Sequence, residues 1–160
     1  MIVSFERCAD GDCIMRCTRD DGSTEWQRHT GARAVFFAHH DLTHLGVERT
    51  LGLRHGFFGL LAAGWSIAET EGKSGRGPLP AGSVLVEQLV ALFGQERATG
   101  VEWTPEEFDE AMRSYAMQHG HAEPVALRAQ QIAAVREAIG ALYSAWRDTL
   151  PGSVLTLTFH

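Results

Sequence analysis

The chain predicts an α+β fold: a small antiparallel sheet packed against about five helices. Three observations carry this. An N-terminal segment holds three short strand-like runs joined by Asp-Gly turns. The last residues alternate apolar and polar. The stretch between them repeats apolar residues at helical spacing. With 160 residues the expectation is one domain, spanning 1–160. A chain of this size buries roughly 70% of its unfolded surface and needs no disulfide or metal merely to fold.

The first strand is expected over Ile2 to Cys8, the second over Cys13 to Arg19 and the third over Thr24 to Arg28. The pairs Asp10-Gly11 and Asp21-Gly22 suit tight hairpins. A first loop of Asp10-Gly11-Asp12 would set Phe5 against Cys17, Arg7 against Met15 and Glu6 against Arg16. A second turn at Asp21-Gly22 would set Cys17 against Trp26. Val3, Phe5, Met15, Cys17 and Trp26 then share a core face. Thr30 to Arg33 reads as a connector and Ala34 to Ala38 as an apolar lead-in. A helix is expected from His39 to Leu51, stopped by Gly52. An apolar helix follows over Phe57 to Glu69.

Glu71 to Gly82 is dense in Gly and Pro and reads as a flexible loop. Its Gly-Lys-Ser is no phosphate loop, because the upstream glycine and the preceding strand are missing. A helix from about Ser83 to Phe93 comes next. Thr104-Pro105-Glu106-Glu107 is a capping box opening a helix to about His119. Pro124 opens the longest helix, to about Thr149, with Ile132, Val135, Ile139, Leu142 and Trp146 as its core stripe. Val154 to Phe159 is the final strand, expected to join the meander.

Composition excludes several classes. The net charge of −6 argues against nucleic-acid binding, which needs a basic face. The most apolar window, Phe57 to Ala68, falls short of the ~20 residues of a membrane span, so no membrane partner is expected. Cys8, Cys13 and Cys17 are an odd count behind an N-terminus without a signal-peptide pattern. They read as free thiols in a cytoplasmic protein, and as small core side chains.

The chemistry concentrates in His39-His40-Asp41-Leu42-Thr43-His44-Leu45-Gly46-Val47-Glu48. On a helix, His40, His44 and Glu48 fall on one face at spacings of four, with Asp41 at its edge. Imidazole and carboxylate are ligands for a divalent metal, zinc foremost. His40, His44 and Glu48 are therefore the expected metal ligands. Asp41 is the expected catalytic residue, as base or as the group that orients an imidazole. Zinc peptidases carry glutamate where Asp41 stands, and aspartate, one methylene shorter, reaches a metal-bound water less well. His55, His119 and His121 are supplementary candidates, and Trp65 and Trp103 read as core or pocket wall. No Gly-x-Ser-x-Gly elbow supports a serine triad.

The segment His-Asp-Leu-Thr-His, followed by Val-Glu-Arg-Thr-Leu-Gly and Gly-Phe-Phe-Gly-Leu-Leu-Ala-Ala-Gly-Trp, resembles a block found in uncharacterised bacterial proteins of similar length. Its His40-Asp41-x-x-His44 core is similar to the metal motif of the ubiquinone-biosynthesis zinc proteins, HDxxH, eleven residues, then Glu. Here Gly56 stands at that last position. The resemblance covers about five residues, and what it implies is metal binding.

The expectation is thus a metal-binding protein, a metal-dependent hydrolase of a small-molecule substrate if catalytic, with homo-oligomerisation open. The alternative is a non-catalytic interaction or assembly protein in which the histidine cluster is a hydrogen-bonded polar core.

Overall fold

A computed structural model describes residues 1–73, 76–119 and 126–160, with the side chain of His119 left aside. Expectations placed on the His119 side chain, Gly120, His121 and Pro124 lie outside the described residues. The elements are β1 (Ile2–Arg7), β2 (Cys13–Thr18), β3 (Thr24–His29), α1 (Ala32–Leu51), α2 (Phe57–Ala62), α3 (Ile67–Thr70), α4 (Gly82–Thr99), α5 (Pro105–His119), α6 (Ala129–Asp148) and β4 (Ser153–Thr158). The four strands form one antiparallel sheet in the order β3-β2-β1-β4. The fold is α+β, with the C-terminal strand on the meander as expected.

The register differs from expectation, and the turns explain it. Cys8 N–H donates to Asp12 O and Arg19 N–H to Ser23 O, so each hairpin closes over three residues, Ala9-Asp10-Gly11 and Asp20-Asp21-Gly22. In both loops the last residue is a glycine at positive φ, 90° and 84°, the conformation such loops favour. An aspartate oxygen in each loop accepts the N–H two residues on, Asp10 from Asp12 and Asp21 from Ser23. In the first hairpin the pairing moves by two residues, to Phe5↔Met15, Val3↔Cys17 and Ser4↔Arg16. A shift of two preserves the faces, so Val3, Phe5, Met15 and Cys17 are all buried. In the second hairpin the shift is one, and a shift of one flips a side chain across the sheet. Cys17 faces Glu25, and Trp26 sits opposite Arg16 on the solvent face, 56% exposed. The expected core role of Trp26 is corrected accordingly.

α1 is the spine of the molecule. It begins at Ala32, so the apolar lead-in and the second half of the expected connector, Ala32-Arg33, are helical. It ends where expected, at Gly52 in the left-handed conformation (φ 66°). One side packs on the sheet, where Ala34, Ala38, Leu42 and Leu45 join Val3, Phe5, Met15, Phe58 and Trp146. Val47 joins a second, all-helical core with Val86, Phe93, Phe108, Met112 and Ile139 from α4, α5 and α6. Enclosed on both sides, residues 41–48 of α1 are buried without a break. Gly46 permits this: a Cβ there would lie 2.7 Å from Ile139 Cγ1.

The expected helix over Phe57 to Glu69 is broken. α2 stops at Ala62, Gly64 takes φ 88°, and Ser66 caps α3 with a capping box to Glu69. The box expected at Thr104 is present: Thr104 N–H donates to Glu107 (2.7 Å) and Glu107 N–H to Thr104 Oγ1 (3.2 Å). α4 runs past Phe93 to Thr99, where Gly100 ends it. Cys8, Cys13 and Cys17 are buried free thiols, and burial pushes Cys13 and Cys17 up to about 12, so neither is a nucleophile at neutral pH. Among the described residues no helix is long and apolar enough to cross a membrane.

Candidate metal centre

His40 and His44 lie one turn apart on α1, and the enclosure of α1 decides what surrounds each. His44 is fully buried, whereas His40 is about one-third exposed at the edge of a cleft. Their rings are 4.8 Å apart. Glu87 reaches them from α4, with an oxygen 3.5 Å from His44 Nε2. One ligand atom from each of His40, His44 and Glu87 falls within 4.8 Å of the others, and this group could hold a metal ion.

Glu48, the third ligand expected from helical spacing, sits on the opposite side of His44. Its carboxylate takes a hydrogen bond from His44 Nδ1 (3.1 Å), from Phe58 N–H (3.3 Å) and from Gly59 N–H (2.8 Å). Those amides are orphan donors of the first turn of α2, the natural place for a carboxylate. Gly56 leaves the room required, since a Cβ there would meet the Glu48 carboxylate and Val86 (2.6 Å to each of Oε1 and Cγ1). A carboxylate at 0% exposure needs such partners to offset desolvation of several kcal/mol. Glu48 thereby holds the His44 ring with Nε2 turned toward Glu87.

Asp41 plays the corresponding part for His40. It is buried, with one oxygen 3.5 Å from His40 Nδ1 and the other 3.5 Å from Gln27 Nε2 on β3. Both histidines therefore have a carboxylate behind one ring nitrogen, the arrangement that orients imidazole for a metal. His55, the supplementary candidate in the turn after α1, packs its ring against Gly82 and is outside the group.

The electrostatics centre on His44. Burial opposes the imidazolium, but hydrogen bonds to Glu48 and Glu87 outweigh it and push His44 up to about 9. Burial likewise opposes the Glu87 anion, and the His44 hydrogen bond and charge override this and lower its pKa. Without a metal, the protonated His44 ring bridges two carboxylates, Nδ1–H donating to Glu48 and the Nε2 proton facing Glu87. A metal would take that proton's place, so the two compete.

The centre opens into a cleft of about 740 Å³ between α1, α4 and α6, which His40 and Glu87 line at one end. Beside it the Tyr143 hydroxyl lies 2.8 Å from Thr43 Oγ1 and 3.1 Å from His39 O, and the His39 ring stacks on Tyr143 at 4.5 Å. Burial, then the charges of Arg97 and Arg7, lower the His39 pKa, so this histidine is neutral at pH 7.

Local spacing brought His40, Asp41, His44 and Glu48 into view; Glu87 lies on another helix. The signal for it is composition: in the run Gly82 to Gln95 it is the one charged residue. No family model, curated protein or solved structure matches the chain.

Proposed function

We propose that this protein is a divalent-metal protein whose ion is held by His40, His44 and Glu87, with zinc the first candidate, and that the ion serves hydrolysis of a small molecule in the adjoining cleft. The observation behind this is the pairing of two imidazoles and a carboxylate with a carboxylate behind each imidazole. Two histidines and one glutamate leave coordination positions free, as in catalytic zinc sites. When bound, such an ion lowers the pKa of a coordinated water toward ~7 and polarises a carbonyl. Glu48 and Asp41 are assigned to orientation. Asp41 stands behind His40 and does not line the cleft, which favours positioning over a direct role as base.

A purely structural polar core would satisfy Glu48 and His44 equally well. It gives no account of Glu87, which is half-exposed and has solvent to satisfy it, yet meets the buried face of His44. The test is elemental analysis of untagged protein beside His44→Ala and Glu87→Gln. About one metal per chain, lost in both folded variants, supports the reading. A metal-free wild type that also refuses added zinc would sink it.

A further inference from the structure

The cleft beside the metal centre has a polarity of its own. Along α4 it runs from Glu87 to Arg97, ten residues, or about 15 Å of helix axis. Between these ends its wall is mostly apolar or small, with Phe36 from α1 and Val90, Ala91 and Gly94 from α4, and the polar Gln95 beside Arg97. Gly94 is open; a Cβ built there meets nothing within 4 Å. Volume and lining match those of small-molecule sites, which are mostly apolar with a few fixed polar groups.

At the far end the Arg97 guanidinium lies over the Tyr143 ring, 4.3 Å from its centroid. Among the described residues no carboxylate pairs with it; Arg7, Arg16 and Arg54 also lie over aromatic rings without an acidic partner, but Arg97 is the arginine that lines this cleft. A guanidinium held on an aromatic face, with its donors uncommitted to an acid, is an acceptor site for an anion. The number of charges is limited to one. Arg97 sits in the last turn of α4, where the helix dipole disfavours added negative charge, so a dianionic phosphate fits poorly.

We infer that the cleft takes an apolar molecule bearing one carboxylate, with the carboxylate on Arg97, the apolar body along Val90, Ala91 and Gly94, and the opposite end presented to His40, His44 and Glu87. This rests on the metal reading for the reaction and deepens it. The substrate is an apolar monocarboxylate whose hydrolysable carbonyl lies at the end remote from the carboxylate.

The test is calorimetric titration of the full chain with octanoate, with metal content measured on the same samples. Wild type, Arg97→Gln and Gly94→Leu are compared, each with and without prior chelation. Thermal melts confirm that the variants fold; Leu at an open, ordinary helical position favours the helix. The expected result is binding to wild type that survives chelation, weakens about tenfold or more in Arg97→Gln and disappears in Gly94→Leu, with metal content equal in all three. Absence of binding, or binding indifferent to both substitutions, overturns the inference and leaves the metal reading intact. Binding lost on chelation but kept in Arg97→Gln also overturns it, since the carboxylate then sits on the metal. A protein without metal that binds octanoate through Arg97 and Gly94 keeps the ligand class and removes the hydrolytic reading.

Discussion

Two buried glutamates, Glu48 and Glu96, solve the same problem differently. Glu96 on α4 is nearly inaccessible. It takes Arg136 Nε at 3.0 Å and Nη2 at 2.5 Å, plus Trp103 N–H at 2.6 Å. Arg136 also donates to Trp103 O, so the pair ties α4, α6 and the lead into α5 together. Its counterion is a guanidinium, whose charge is permanent. Glu48 also takes two backbone amides, but its counterion is a histidine. That charge is conditional, and the far nitrogen of the ring faces Glu87 at the cleft. A buried carboxylate with a fixed cation is framework. One with an exchangeable cation leaves room for chemistry.

The largest effect that would test this contrast is removal of either carboxylate. Glu48→Ala strips a buried imidazolium and two amides of their acceptor and should cost about 3–5 kcal/mol in urea unfolding. Glu96→Ala should cost somewhat less, since Arg136 keeps partial access to water. A loss below about 1 kcal/mol for Glu48→Ala would mean that Glu48 is no anchor.

Next comes pH. His44 stands at about 9 in the folded protein, against about 6.5 unfolded. Between those values the native state holds a proton that the unfolded chain has lost, so stability falls as pH rises. His44's contribution is complete below about pH 6.5 and gone above about 9. Chelator-treated protein should therefore lose about 1–3 kcal/mol between pH 6 and 9.5. In Glu87→Gln the fall should begin at the same pH, which the unfolded value sets, but end at lower pH and be smaller, because one of the two hydrogen-bond partners that raise His44 is weakened. An unfolding free energy flat across that range would contradict the charged His44–Glu48 pair.

Gly56→Ala should cost about 1–3 kcal/mol by pressing a methyl into the Glu48 carboxylate and Val86. Gly94→Ala, where space is open, should leave stability unchanged or slightly raised. Equal costs in urea unfolding would show that the Glu48 cradle is not tightly packed. A small effect on stability also belongs to Glu87→Gln, about 1 kcal/mol or less, because Glu87 is half-exposed and Gln keeps an acceptor near His44. Its effect on metal affinity should be the reverse, and that is the sharpest division between framework and ligand.

Much of this was legible in the sequence. The Asp-Gly turns announced the meander, and Gly52 and the Thr104 capping box marked helix ends, because each acts through neighbours in the chain. The hairpin register was not legible, because Asp-Gly serves two-residue and three-residue loops alike and can take either pair of positions in the longer one; the wrong choice in the second hairpin placed Trp26 inside. In the site, spacing of four brought His40, His44 and Glu48 to one face. It could not tell that Glu48 points down α1 into the amides of α2, nor that Glu87 arrives from α4. Helical spacing reports which side chains can meet on one helix. Which acid meets which ring nitrogen is decided by the helices packed against it.

The most direct test is a competitive zinc titration, against a chromophoric chelator, of wild type and Glu87→Gln at pH 7.5. The account expects one zinc per wild-type chain and affinity at least tenfold weaker in Glu87→Gln, with stability lowered by about 1 kcal/mol or less. Equal affinity in the two proteins, or no zinc bound by either, would contradict a centre built from His40, His44 and Glu87.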